Sequence, residues 1–189
     1  MIVHFIASKS NLQKDIEVFR LIRSVVLDLG HELARDWIEE EYNFMTSGKQ
    51  HTTIDWKAVN EENMEAIARA DLVIAEASAK SFSTGFQVAN AVQQKKPVLI
   101  LTYNDALGGT FGSGIAPDFV SSKVYTKETL RETITDFIGE NEIDNKDLRF
   151  NFFIDRKIHN YLRWASYKTG KNKSEILRDL ILREINRQD

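Results

Sequence analysis

Cysteine is absent from the 189 residues, which excludes disulfides, thiolate nucleophiles and cysteine-held metals. Histidine is scarce: His4, His31, His51 and His159 show no ligand spacing, so no metal is expected, and no serine-histidine-aspartate order is legible. Proline occurs only twice, at Pro97 and Pro117, as expected of an ordinary globular protein, and Pro97 falls at the start of a predicted strand, where a missing N–H is harmless. No apolar run approaches the ~18–20 residues of a membrane span. The start Met1-Ile2-Val3-His4-Phe5-Ile6 is too short, and lacks the basic beginning, for a secretion signal. A cytoplasmic protein without a membrane partner is the expectation. Four of the nine glycines fall in the segment 104–117, at Gly108, Gly109, Gly112 and Gly114. That segment lacks the glycine-lysine-serine/threonine ending of a phosphate loop and reads as a flexible loop.

What is present is ordinary for a globular chain, 42% hydrophobic and 28% charged, with one uneven feature. Residues 1–147 hold 15 Lys and Arg against 23 Asp and Glu, a net of −8, whereas residues 148–189 hold 10 against 5, a net of +5. A basic tail on an acidic body implies a separate module with an anionic partner.

The most informative stretch is DLVIAEASAKSFSTGFQVANA, from Asp71 to Ala91. Its apolar start suits a parallel strand covered on both faces. The polar loop Ser78 to Gly85 then leads into a helix whose free N–H groups favour an anion. Around it the chain alternates. Strands are predicted over Met1–Ala7, His31–Trp37, Lys96–Thr102 and Lys123–Tyr125, and helices over Asp15–Leu29, Trp56–Ala70 and Lys127–Ile138, while Glu40–Asp55, which includes Ser47-Gly48-Lys49-Gln50-His51, reads as a long loop. Such alternation predicts an α/β fold with a doubly wound parallel sheet. Residues 139–147, GENEIDNKD, read as a linker. Glu76 reads as a strand-end carboxylate bonded to nearby backbone, with a displaced acid as the sharper alternative. Trp37, Trp56 and Trp164 read as core or interface residues.

On these residues, 1–138 resemble the nucleoside 2-deoxyribosyltransferases and the relatives that hydrolyse deoxynucleoside monophosphates. The family motif S-x-G-x-G-Y-E-L-G-x-A is matched by Ser81-Phe82-Ser83-Thr84-Gly85-Phe86-Gln87-Val88-Ala89-Asn90-Ala91. The resemblance implies a flavodoxin-like, deoxyribosyltransferase-like sheet and a nucleotide or nucleoside ligand, with no cofactor. It places the nucleophilic glutamate at Gln87, where an amide cannot attack an anomeric carbon. The second carboxylate, eight residues before Asp71, falls on Asn63, with Glu62 and Glu65 beside it. No catalytic residue is therefore assigned. The hydrolases' V-Y-F-x-G-S-x-R is matched by Val3-His4-Phe5-Ile6-Ala7-Ser8-Lys9-Ser10. The implied ligand contacts are Ser8, Lys9, Ser10, Asn63, Ser81, Ser83, Gly85 and Gln87, with Lys9 or Lys80 replacing the missing arginine's charge.

In the tail, Arg149 to Asp155 alternates: Phe150, Phe152 and Ile154 fall on one face, Arg149, Asn151 and Phe153 on the other. A helix is predicted from Arg156 to Thr169, ending at Gly170, and a second follows Asn172, with Glu175 completing a capping box. One strand and two helices cannot easily bury a core alone. Residues 149–187 resemble a ribbon-helix-helix domain, so 148–189 would be a dimerisation and DNA-binding module. The resemblance implies a homodimer or higher even oligomer on double-stranded DNA. Arg149, Asn151 and Phe153 would face base edges, and Lys171, Asn172, Lys173 and Ser174 the phosphates. Phe153 departs from the polar residue usual there. The expected function is a DNA-binding transcriptional regulator with a catalytically silent nucleotide sensor. The alternative is an active deoxyribosyltransferase or N-glycosidase that dimerises through its tail.

Overall fold

A computed structural model describes residues 1–47, 55–103, 118–142 and 151–187. The chain divides into two compact units, Met1–Ile143 and Asp144–Asp189. In the first unit, strands β1 (Ile2–Ile6), β2 (Glu32–Leu33), β3 (Leu72–Glu76), β4 (Val98–Thr102) and β5 (Val120–Val124) form one all-parallel sheet in the order β2-β1-β3-β4-β5. Five α-helices among the described residues accompany them: α1 (Leu12–Asp28), α2 (Ile38–Thr46), α3 (Trp56–Arg69), α4 (Phe82–Gln93) and α5 (Leu130–Glu140). The order reverses direction between β1 and β3, and in such a sheet the crevice beyond that reversal is where ligands settle.

Alternation along the strands divides the core in two. Val3, Phe5, Leu72, Ile74, Leu99 and Leu101 pack against Phe19, Ile22, Val26, Ile134 and Phe137 of α1 and α5. Ile6, Val73, Ala75 and Ile100 pack against Ile67 of α3 and Ala91 of α4. Both faces of β3 and β4 are covered, since every residue of each is buried, as the unbroken apolar runs require. Polar ties fix the register. The Ile2 N–H donates to the Asp71 carboxylate at 2.7 Å, and Lys96 donates to the Ala68 and Ala70 carbonyls at 2.9 and 2.7 Å, closing the end of α3.

Three expectations need correction. The predicted strand His31–Trp37 shrinks to Glu32–Leu33, because the chain then turns so that the Trp37 ring stacks on Phe5 at 6.2 Å. The stretch after Glu40 is partly helical. In α2, Ile38 is buried, Tyr42 and Met45 pack on the core, and the charged residues between them hid that spacing. The last strand begins at Val120 rather than Lys123, in register with Val98. The segments 48–54, 104–117 and 143–150, among them Arg149 and Phe150, lie outside the described residues. No helix of the described residues is long and apolar enough to cross a membrane.

The second unit holds α6 (Arg156–Thr169) and α7 (Lys173–Ile185). Gly170 ends α6 with φ +71, a left-handed conformation that glycine adopts without strain. The capping box is present: the Asn172 side chain accepts the Glu175 N–H at 2.9 Å, and the Glu175 carboxylate accepts the Asn172 N–H at 2.8 Å. Residues 151–155 form no strand; among the described residues of this unit no other strand is present to pair with them. Among the described residues of this unit, Leu162, Ala165 and Ile176 are the buried hydrophobic core, with Leu177 packed against it.

Candidate functional site

A cavity of about 220 Å³ opens at the carboxyl ends of β1 and β3. Four segments of chain build it. The loop after β1 contributes Ser8, Lys9 and Ser10, the segment after β2 contributes Arg35 and Trp37, α3 contributes Trp56, Val59 and Asn63, and α4 contributes Ser83 and Gln87, with Ser81 just before it. Seven of the eight expected ligand residues are thus brought together from positions up to 79 residues apart, Ser8 to Gln87. Gly85 is the exception; it is exposed on α4 and lines a neighbouring hollow with Lys80 and Thr84.

The serines are already engaged. Ser81 is the N-cap of α4, its hydroxyl accepting the Thr84 N–H at 3.3 Å, and the Ser8 and Ser10 hydroxyls lie 2.7 Å apart. Lys9 does not point a free charge inward, because it pairs with Glu41 at 2.7 Å. The positive charge in the cavity wall is Arg35, which the sequence did not single out. Its Nη1 donates to Asn63 Oδ1 at 2.6 Å and its Nη2 meets Glu62 at 2.6 Å. This also settles which side chain of α3 faces the cavity: Asn63 lines it, whereas Glu62 and Glu65 lie in a shallower hollow with Arg69. Arg35 was invisible because nothing local marks it; only the pairing of β2 with β1 carries it to the site.

Gln87 is 8% exposed, and its Nε2 donates to the Ser83 hydroxyl at 3.2 Å. His4 is 1% exposed, and neither ring nitrogen finds a partner at hydrogen-bond distance among the described residues. Burial pushes its pKa from 6.5 down to about 4; the Gln87 amide opposes this and the Arg35 charge adds to it. The ring is therefore neutral at physiological pH.

Glu76 does not serve this cavity. It continues the Leu72-Ile74 side of β3, toward α1, and one carboxylate oxygen accepts from the Ser78 N–H at 3.2 Å, the Ser78 hydroxyl and the Tyr125 hydroxyl at 3.0 Å. Burial raises its pKa against the pull of those bonds. No Asp or Glu occurs among the described residues that line the cavity. Nor do the described residues contain a group of three or more metal-ligating side chains. Of the tryptophans, Trp37 forms an inner wall, and Trp56 is 68% exposed at the cavity edge, hence not a core residue.

On the second unit, Asn151 and Phe153 are exposed, as are Lys171, Lys173 and Ser174. Lys171 pairs with Asp179 at 2.7 Å, and Lys173 lies 3.4 Å from His159. Asn172 spends its side chain on the α7 cap. Several large apolar side chains stay exposed, with Ile158, Trp164, Ile181, Leu182 and Ile185 each more than 40% exposed.

No protein-family model matches the sequence, and no curated protein matches it. Among solved structures, the chain is similar to the CMP N-glycosidase BcmB of Clostridium botulinum, with a TM-score of 0.46 and 17% identity over 72% of this chain and 97% of that one.

Proposed function

We propose that the protein is a dimeric, DNA-binding regulator whose first unit is a catalytically silent, deoxyribosyltransferase-like sensor of a nucleotide or nucleoside. The observation that carries this reading is Gln87: its side chain on α4 reaches the cavity as an amide, and Asn63 on α3 brings a second amide to the same cavity. Amides bond hydroxyls and bases but form no glycosyl ester with a sugar. Serines, two tryptophans and an arginine around a cavity at a sheet reversal suit binding of a compact polar ligand with an aromatic ring. The second unit supports the regulator half. Its net charge of +5 over residues 148–189 favours a polyanion, and its exposed apolar side chains favour a second copy.

Incubation with the common nucleosides and their 5′-monophosphates, followed for both binding and free base, tests the sensor half. Saturable binding without base release is the expected result, and sustained base release by the unmodified protein would overturn it. Binding to duplex DNA at several salt concentrations tests the other half; a chain that retains no duplex even at low salt is no such regulator.

A further inference from the structure

We propose that Arg35 reads the ligand's base and selects one that presents two adjacent hydrogen-bond acceptors, guanine at O6 and N7 or cytosine at O2 and N3. The inference rests on the nucleotide reading above and adds to it a discriminating residue. Its first support is position. Arg35 follows β2, whereas Ser81, Ser83 and Gln87 follow β3, and β1 lies between these strands. Two strand spacings put the two sides on the order of 10 Å apart. A ligand whose anionic end sits at the α4 N-terminus therefore presents its far end to Arg35.

The second support is chemistry. A guanidinium has five N–H donors and accepts nothing. Here Nη1 donates to Asn63 and Nη2 forms an ion pair with Glu62, each at 2.6 Å, which holds the group in place and leaves further N–H donors on it. Because Glu62 balances the charge, the fork is better suited to a neutral acceptor edge than to a second anion. Asn63 adds to this: its oxygen already accepts from Arg35, and its amide NH2 supplies further donors. Trp37, Trp56 and Val59 give the same side apolar walls for a flat ring. Adenine offers an acceptor beside an amino donor, and uracil and thymine alternate acceptor, donor, acceptor. Both would leave a donor facing a donor.

Calorimetric titration of the full-length protein with the 5′-monophosphates of the four bases reads this directly. The guanine or cytosine nucleotide is expected to bind about tenfold or more tightly than the other two, the scale of a bidentate arginine contact. Arg35→Gln is expected to shrink that preference to about threefold or less at an unchanged melting temperature, and Arg35→Lys, which keeps the charge but loses the fork, to do the same. Glu62→Gln keeps the guanidinium and removes its carboxylate anchor; it is expected to weaken the discrimination partially, which keeps the test decisive if the arginine variants do not fold. Equal binding of all four nucleotides, or a preference that survives Arg35→Gln, overturns the inference and leaves the sensor reading standing. If no nucleotide binds the unmodified protein, both fall together.

Discussion

At the scale of single residues, His4 ties stability to pH. Its ring is buried with no partner at hydrogen-bond distance among the described residues, and burial holds its pKa at about 4, below the ordinary 6.5. Between those values the unfolded chain binds a proton that the folded chain refuses, so stability is full above about pH 6.5 and falls as the pH drops toward 4. A shift of this size corresponds to on the order of 3 kcal/mol. Glu76 acts with the opposite sign, since its pKa is raised and its contribution is lost as the pH rises. Urea melts of the unmodified protein and of His4→Leu across pH 4–7 separate the two: the variant is expected to lose most of the decline, and an identical slope in both would show that His4 does not cause it. Gln87 carries the chemical counterpart. Gln87→Glu places a carboxylate in the same cavity as Arg35, and slow release of base from a nucleotide, or a trapped glycosyl-protein, is the expected gain. More activity in the unmodified protein than in the variant would contradict the assignment of that position.

At the scale of elements, short-range signals held where the physics is local. The end of α6 and the start of α7 needed only Gly170, Asn172 and Glu175, because a left-handed stop and a capping box are satisfied within six residues. Asn172→Ala is expected to cost about 1 kcal/mol, and Gly170→Ala about as much, through the φ of +71 it must adopt. Hydrogen exchange of the α7 amides in the full chain measures both; unchanged protection would mean that the cap does not hold this helix. Where an element depends on distant partners, the local signal failed. The acidic run of α2 masks a stripe of three apolar residues, and the helix is anchored from α1, by Arg20 on Glu39 at 2.8 Å.

At the scale of the whole molecule, two units of opposite charge each leave something unfinished. Among the described residues, the first has a polar cavity lined by no acid, and the second has three buried core residues and a surface with several exposed apolar side chains. If a second copy covers that surface, Ile181→Asp, at a side chain 60% exposed in the single chain, is expected to leave the helices formed yet abolish the dimer and duplex binding together. Lys173→Ala is expected instead to keep the dimer, weaken binding to all sequences alike and reduce the salt slope by about one unit. Sedimentation and duplex titration of each variant decide it: a monomeric unmodified protein, or an Ile181→Asp protein that still dimerises, would refute the covered-surface reading.

The sequence by itself determined the parallel α/β character, the position of the β3–α4 anchor and the placement of amides at 63 and 87, because alternation, apolar runs and motif register are local properties of the chain. It also determined the caps of the tail helices. Only the tertiary structure decided that Arg35 belongs to the cavity, that Lys9 is neutralised by Glu41, that Glu76 turns away toward Tyr125, and that Trp56 stands at the cavity edge. Each of these depends on which strand lies beside which and which helix face turns inward. In a sheet ordered β2-β1-β3, neighbours in space are distant in sequence, and no periodicity along the chain records them.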